Sequence, residues 1–272
     1  MEGTSPRLWP YSANNSPLPL PSQAVLYTPR AVIDLQFQGE AMADADEELD
    51  LDGLRAYARR YASDSADLDT LLQADGSEPI SERRPLLLQG ELANPYRLQD
   101  IGMSTMPLLP VRLEGICRTW ADGLDPRDAY PGVHHVTLAR TPGWWESSVI
   151  GLATKEQLKQ LREWLDNGQR NAWRPVKLGE GGLRMEHAEV APPLKDDVEW
   201  DGENERVTVA PPPPTGPSVS LDILLVVVHT RHGCYNHRGR LARCVHMQQR
   251  AFHEQLFRKG SSHRWDDILT LR

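Results

Sequence analysis

Apolar and polar residues alternate through Ala31-Val-Ile-Asp-Leu-Gln-Phe-Gln38. Ile33, Leu35 and Phe37 face away from Asp34, Gln36 and Gln38, the period of a half-buried strand. The period lengthens after Asp50. Leu54, Tyr57, Ala58 and Tyr61 share a helical face, with Asp50 or Asp52 placed to cap it. Leu68, Leu71 and Leu72 among aspartates predict a second short helix. Residues 80–110 are broken by prolines, and only Leu86-Leu-Leu-Gln89 reads as a strand. Val111 to Trp120 predicts another strand. So does Gly132 to Arg140, with Val133, His135, Thr137 and Ala139 on one face and His134, Val136, Leu138 and Arg140 on the other. Asp122-Gly and Asp125-Pro-Arg-Asp mark turns between them, and Thr141-Pro-Gly-Trp-Trp145 predicts a loop.

The clearest helix starts at the capping box Thr154-Lys-Glu-Gln157. It carries Leu158, Leu161 and Leu165 along one side and has Gly168 just past its end. Arg174 to His187 predicts a strand pair around Gly179 to Gly182, and Glu205 to Ala210 a further strand, followed by a rigid spacer at Pro211 to Pro214. Leu221 to Val228 is apolar on both faces, which predicts a central strand. Leu241 to Leu256 predicts a helix with Cys244, Met247, Ala251 and Phe252 along one side. The pattern as a whole predicts an α+β fold: a mixed or antiparallel sheet with flanking helices and an extended, partly disordered N-terminal arm. It divides the chain into a Pro-rich, disordered and mobile arm (1–30), a strand with an acidic helical and Pro-broken segment (31–110), and an α+β domain (111–272) whose C-terminal part is basic and rich in His and Cys.

Composition adds an electrostatic division. The 272 residues are 39% hydrophobic and include 22 prolines, which suits a folded body with sizeable irregular segments. The formal charge of −8 argues against generic adhesion to nucleic acid or membranes. It is unevenly spread, however. Glu40 to Glu78 holds twelve acidic residues against three arginines, whereas His229 to Arg272 holds nine basic residues against three acidic. The acidic segment is therefore read as a docking site for a protein partner, and the basic region as a contact for nucleic acid or phosphate through Arg238, Arg240, Arg243 and Arg250. Three cysteines do not make a disulfide scaffold, and the start of the chain lacks a basic-then-apolar signal pattern. The longest apolar run, Ile223 to Val228, is too short to span a bilayer. The expectation is a soluble, intracellular protein, cytoplasmic or nuclear, that does not engage membranes.

Two groups of residues carry candidate chemistry. His135-Val-Thr-Leu138 resembles the motif of the 2H phosphoesterases, in which His and a hydroxyl residue two positions on share a strand face. Two such motifs flank a cyclic phosphate there and supply a general base and a general acid. The resemblance implies a phosphodiesterase acting on RNA ends or cyclic phosphates, with His135 and Thr137 in the site. A second motif of that form is absent. His229 is followed by Thr230 and Arg231, so His229 and Arg231 stand as an altered partner set. The same His134-His-Val-Thr-Leu run is similar to the start of a vicinal-oxygen-chelate module. Arg231-His-Gly233 resembles the phosphate-binding strand end of histidine phosphatases, but the 39 residues after it are too few for that fold. His187-Ala-Glu189 lacks the Pro-Cys-x-x-Cys partner of zinc deaminases.

The second group is His232, Cys234, Cys244 and His246, four residues of the types that bind zinc, so zinc is the one cofactor the sequence suggests. The preferred reading is a regulatory or interaction protein, with the phosphodiesterase as the alternative. The two are separated by one geometric criterion: both imidazoles must reach one phosphate, which requires the His135 and His229 side chains within about 8 Å across a shared groove.

Overall fold

A computed structural model describes residues 3–11, 19–40, 46–125, 134–203, 205–260, 262–263 and 270–271. In chain order the elements are β1 (Val25–Tyr27), β2 (Val32–Asp34), β3 (Gln36–Phe37), β4 (Glu48–Leu49), α1 (Leu51–Ala58), β5 (Tyr61–Ala62), α2 (Leu68–Ala74), β6 (Arg84–Leu88), α3 (Pro95–Asp100), β7 (Met106–Leu124) and β8 (His134–Ala153). There follow α4 (Lys155–Asp166), β9 (Trp173–Val176), β10 (Gly182–Met185), β11 (Val198–Trp200), β12 (Glu205–Val207), β13 (Ser218–Val219), β14 (Leu225–His229), β15 (Cys234–His237), β16 (Arg240–Leu241), α5 (Gln249–Gln255) and β17 (Ser262–His263). The fold is α+β, built on one large mixed sheet with strand order β4-β13-β10-β7-β8-β6-β14-β9. The β6/β14 and β4/β13 pairs are parallel, and the other pairs are antiparallel.

Residues of period two bury both faces of this sheet. Leu26, Leu87, Leu109, Val111, Leu113, Ile150, Val226 and Val228 enter one core, where α1 and α2 add Leu54, Leu68, Leu71 and Leu72. Their strand neighbours Val25, Tyr27, Leu86, Leu88, Leu108, Val149 and Val227 enter the other, covered by Leu98 of α3 and Leu161 and Leu165 of α4. Residues 46–78 of the acidic segment are therefore a folded layer. Its leucines are core residues and its carboxylates serve helix ends, Asp50 capping Gly53 N and Asp67 capping Thr70 N. The Thr154/Gln157 capping box of α4 forms as expected. The left-handed stop is taken first by Asn167 (φ 43°), ahead of Gly168 (φ 78°).

The N-terminal segment is extended and, where described, laid along the domain. Thr4 bridges to Val32, Asn94 Nδ2 donates to the carbonyls of Pro10 and Pro19, and Tyr11 stacks on Tyr96. Residues 12–18 lie outside the described residues. Val25–Tyr27 is a fully buried strand between β2 and β7, not a mobile arm. Proline-rich flanks concealed it because β1 is only three residues long. The large sheet takes strands from all three segments, and β7 runs through residue 110.

Other expectations change with the topology. Thr141 to Trp145 is part of β8, although Arg140 pairs with Ile116 and Trp145 with Glu114, so residues 141–144 bulge out of the ladder. Gly115 (φ 70°) makes the matching irregularity in β7. The strands on either side of Gly179 do not pair with each other: β9 pairs with β14, and β10 with β7. β14 is central in the sense that both its edges are paired, by β6 and β9. The helix expected over Leu241 to Leu256 is α-helical only at Gln249–Gln255, because residues 241–247 are spent on β16 and a 3-10 turn. The expected turn at 126–128, the start of the strand at Gly132 and Val133, and the tail from Trp265 to Leu269 lie outside the described residues.

Candidate active site

The site is built where the long β7/β8 ribbon loses its register. Trp120 pairs with Val136 and Leu124 with His134, so Ala121 to Gly123 stand opposite His135 alone. There β7 takes a new partner. Ala121 pairs with Cys234 of β15, Asp122 N donates to Gly233 O, and Gly233 N donates to Asp122 Oδ1. Irregularities of this kind re-aim a side chain next to functional sites. His135 is aimed at the end of β14, where His229 closes that strand opposite Trp173.

Three imidazoles meet at this point. The ring centroids of His135 lie 5.6 Å from His229 and 5.6 Å from His232, and the His229 and His232 rings stack at 3.8 Å. Trp173 meets His135 and His229 edge-on, at 4.8 and 5.1 Å. Asp166, whose Oδ1 accepts from Trp173 N at 2.8 Å, helps hold that indole in place. Asp125 Oδ2 is 3.4 Å from His135 Nδ1, and both side chains are almost wholly buried.

The chain geometry assigns the tautomers. His229 Nδ1 accepts from the backbone N–H of both Arg231 and His232, each at 3.1 Å. An accepting Nδ1 carries no proton, so the neutral ring holds its proton on Nε2 and acts as a hydrogen-bond donor there. Burial pushes His229 down to about 4, the neighbouring His232 and Arg231 add to this, and Asp166 and Asp125 oppose it. His229 is therefore neutral at pH 7. His232 is also held below its usual range, chiefly by burial, and its Nδ1 is buried without a hydrogen-bond partner among the described residues. His135 turns its Nδ1 toward the Asp125 carboxylate, an acceptor that orients the ring.

Of the sequence candidates, His135 and His229 are brought together. Thr137 is buried two residues along β8, where it pairs with Thr119. Arg231 does not share a side with His229 as strand alternation predicted. The strand ends at His229, the backbone turns, and Arg231 is left exposed while His232 takes the place beside His229. Asp125, Trp173 and His232 are the site members that local spacing did not link to His135. The turn signal at Asp125-Pro126 was the one local hint of Asp125.

The four zinc candidates do not converge. His232 is stacked on His229. His246 Nε2 donates to Pro193 O at 2.8 Å. Cys234 packs with Cys117 and Trp144, and Cys244 with Trp120 and Phe252; both are buried free thiols. Among the described residues no group of three or more His, Cys, Asp or Glu is placed to hold a metal ion. Stacked rings explain this for His229 and His232, because their in-plane lone pairs run parallel instead of meeting.

The basic set is likewise dispersed in role. Arg243 is buried in an ion pair with Glu205 at 2.9 Å, and Arg250 pairs with Glu254 one helical turn on. Arg238, in a left-handed turn (φ 53°), and Arg240 are exposed. His187, of the His-x-Glu pattern, is hydrogen-bonded to Tyr57 and packs among Phe37 and Tyr61. Among the described residues no helix is long and apolar enough to cross a membrane.

Gly123 gives a direct handle on the cluster. A Cβ there would fall 2.1 Å from the His232 ring. Gly123→Ala should push His232 off His229 at a stability cost of about 1–3 kcal/mol. Imidazole 15N–1H correlation spectra should show both rings shifted while the protein stays folded; unshifted rings would contradict this placement.

No family model, curated protein or solved structure matches this chain.

Proposed function

We propose that the His135 cluster is a hydrolytic acid–base centre acting on small phosphodiesters, including cyclic phosphates. The observation that carries the proposal is the 5.6 Å separation of the His135 and His229 rings, with Asp125 behind His135. It meets the distance requirement that two imidazoles serving one phosphate impose. The reading as an interaction protein draws less support, since the leucines of its acidic segment lie in the core and Arg243 is engaged by Glu205.

In the proposed reaction His135 Nε2 takes a proton from water as the water oxygen attacks phosphorus. The bond from phosphorus to the departing oxygen breaks, and the proton held by His135 is returned to the departing group or to solvent. Asp125 orients the ring and stabilises the imidazolium that forms. His229 works as a neutral donor. Its Nε2–H points charge stabilisation at a non-bridging phosphate oxygen, and its low proton affinity keeps that donor in one form. The Thr137 hydroxyl, on the same strand face as His135, supplies a further polar position. Trp173 walls the imidazoles and limits water.

The test is turnover of bis(4-nitrophenyl) phosphate and 2′,3′-cyclic AMP by the purified full chain. Product formation that depends on His135 is expected. The absence of turnover on either substrate would remove the proposal.

A further inference from the structure

A cavity of about 280 Å³ lies at the other end of β15 from the histidine cluster. β15 separates the two: His229 and His232 precede it, and His237 and Arg240 at its far end line the cavity. Three cations line it, Lys195, Arg240 and Arg243, against one carboxylate, Glu205. That carboxylate is already committed. Its Oε2 accepts from Arg243 Nη1 and from Leu241 N, both at 2.9 Å. The positive charges of Lys195 and Arg240, both exposed side chains, are therefore not balanced by a carboxylate of the lining.

Arg243 forms the buried part of the lining. It is 3% exposed, its Nη2 donates to Thr141 Oγ1 at 3.0 Å, and its guanidinium lies 4.8 Å over the Trp144 ring. Its Nε is buried with no hydrogen-bond partner among the described residues. A buried guanidinium N–H left unpaired costs on the order of 1–3 kcal/mol. The lining also holds the apolar side chains of Val198, Leu241, Met247 and Leu256. Cations and apolar side chains in one lining suit a small organic anion with one acidic group and a hydrocarbon or aromatic body. The volume fits a single ring with its charged substituent.

We infer that this cavity is a binding site for a small organic anion, a phosphate monoester or carboxylate carried on an apolar body. The inference uses none of the residues of the histidine cluster, so either can fail without the other.

Calorimetric titration of the full chain tests it, with phenyl phosphate, benzoate, inorganic phosphate and benzyl alcohol as probes. Phenyl phosphate or benzoate should bind at least tenfold more tightly than either inorganic phosphate or benzyl alcohol. Arg240→Ala and Lys195→Ala should each weaken that binding by about tenfold, since each removes a charge-assisted contact. His135→Ala should leave it unchanged, which separates this site from the histidine cluster. The inference is overturned if neither aromatic anion binds, if inorganic phosphate binds as tightly as phenyl phosphate, or if binding survives both charge removals. Loss of binding in His135→Ala alone would also overturn it. The one choice left to the data is the acidic group: tighter phenyl phosphate assigns a phosphate monoester, and tighter benzoate a carboxylate.

Discussion

Lowering the pH from 6.5 to 4 should remove most of the stability of this protein. Burial holds His134 and His229 at about 4, and it is the leading cause of the lowered values of His187, His232 and His246. A histidine with a depressed folded-state pKa binds its proton more readily when unfolded, where the ordinary value is near 6.5. Stability is therefore fully present above pH 6.5 and declines as the pH falls toward 4. Each such histidine takes away about 1.4 kcal/mol per pH unit in that window. His134 and His229 together then cost roughly 6 kcal/mol by pH 4, against a usual total of about 5–15 kcal/mol. Asp67 and Glu180, both held below the usual carboxylate range, add to the loss in more acid solution. Urea midpoints at pH 7.5, 6, 5 and 4.5 should fall steeply below pH 6.5. The descent should be shallower in His134→Gln, which removes a ring that donates to Gly123 O and accepts from His253 without touching the proposed site. A midpoint constant between pH 7 and 5 would contradict the buried, neutral state of these rings.

Glu146→Ala should destabilise the fold by about 3–5 kcal/mol, among the largest single-residue effects expected here. Glu146 is completely buried. Its Oε1 accepts from Arg118 Nε at 3.0 Å and from Arg118 N at 2.7 Å, between β8 and β7. Removing the carboxylate leaves the Arg118 guanidinium, itself 4% exposed, as an uncompensated charge inside the ribbon. The position matters because residues 141–144 leave the ladder just before it, so this side-chain bridge holds the two strands together where backbone pairing is interrupted. Glu146→Gln, which keeps an acceptor oxygen, should cost less than Glu146→Ala. Chemical denaturation measures both. An Ala variant within 1 kcal/mol of the parent would show that the pair is dispensable (the lower bound being well under the cost expected of a broken buried pair).

The elements legible in the sequence were those whose signal is local. The Thr154 to Gln157 capping box and its leucines gave α4, and the continuous apolar run through Leu221 to Val228 gave a strand, which forms at Leu225–His229. Alternation also set His134 and His135 on opposite faces. His134 does meet Gln249 and His253, while His135 meets His229 and Trp173. Partnerships were not legible. β9 and β10 flank a glycine turn and look like a hairpin, yet each pairs with a distant strand because hydrogen-bonding edges carry no sequence label. The histidine cluster was half legible for the same reason. His135 and His229 each follow from their own strands. Asp125, Trp173 and His232 join them only through the register break in β7 and the turn after His229, where strand alternation ceases to hold. β1 was hidden because three buried residues between prolines give no measurable period.

The proposed role of His135 is that of the base in a phosphodiester-hydrolysing site. Its most direct test is the rate of 2′,3′-cyclic AMP hydrolysis by the parent chain and by His135→Ala, both shown to be folded by matching urea midpoints. Removal of a general base predicts a loss of about 10²–10⁴-fold in the variant. A variant rate within twofold of the parent, or a parent chain that does not hydrolyse the substrate, would contradict the claim.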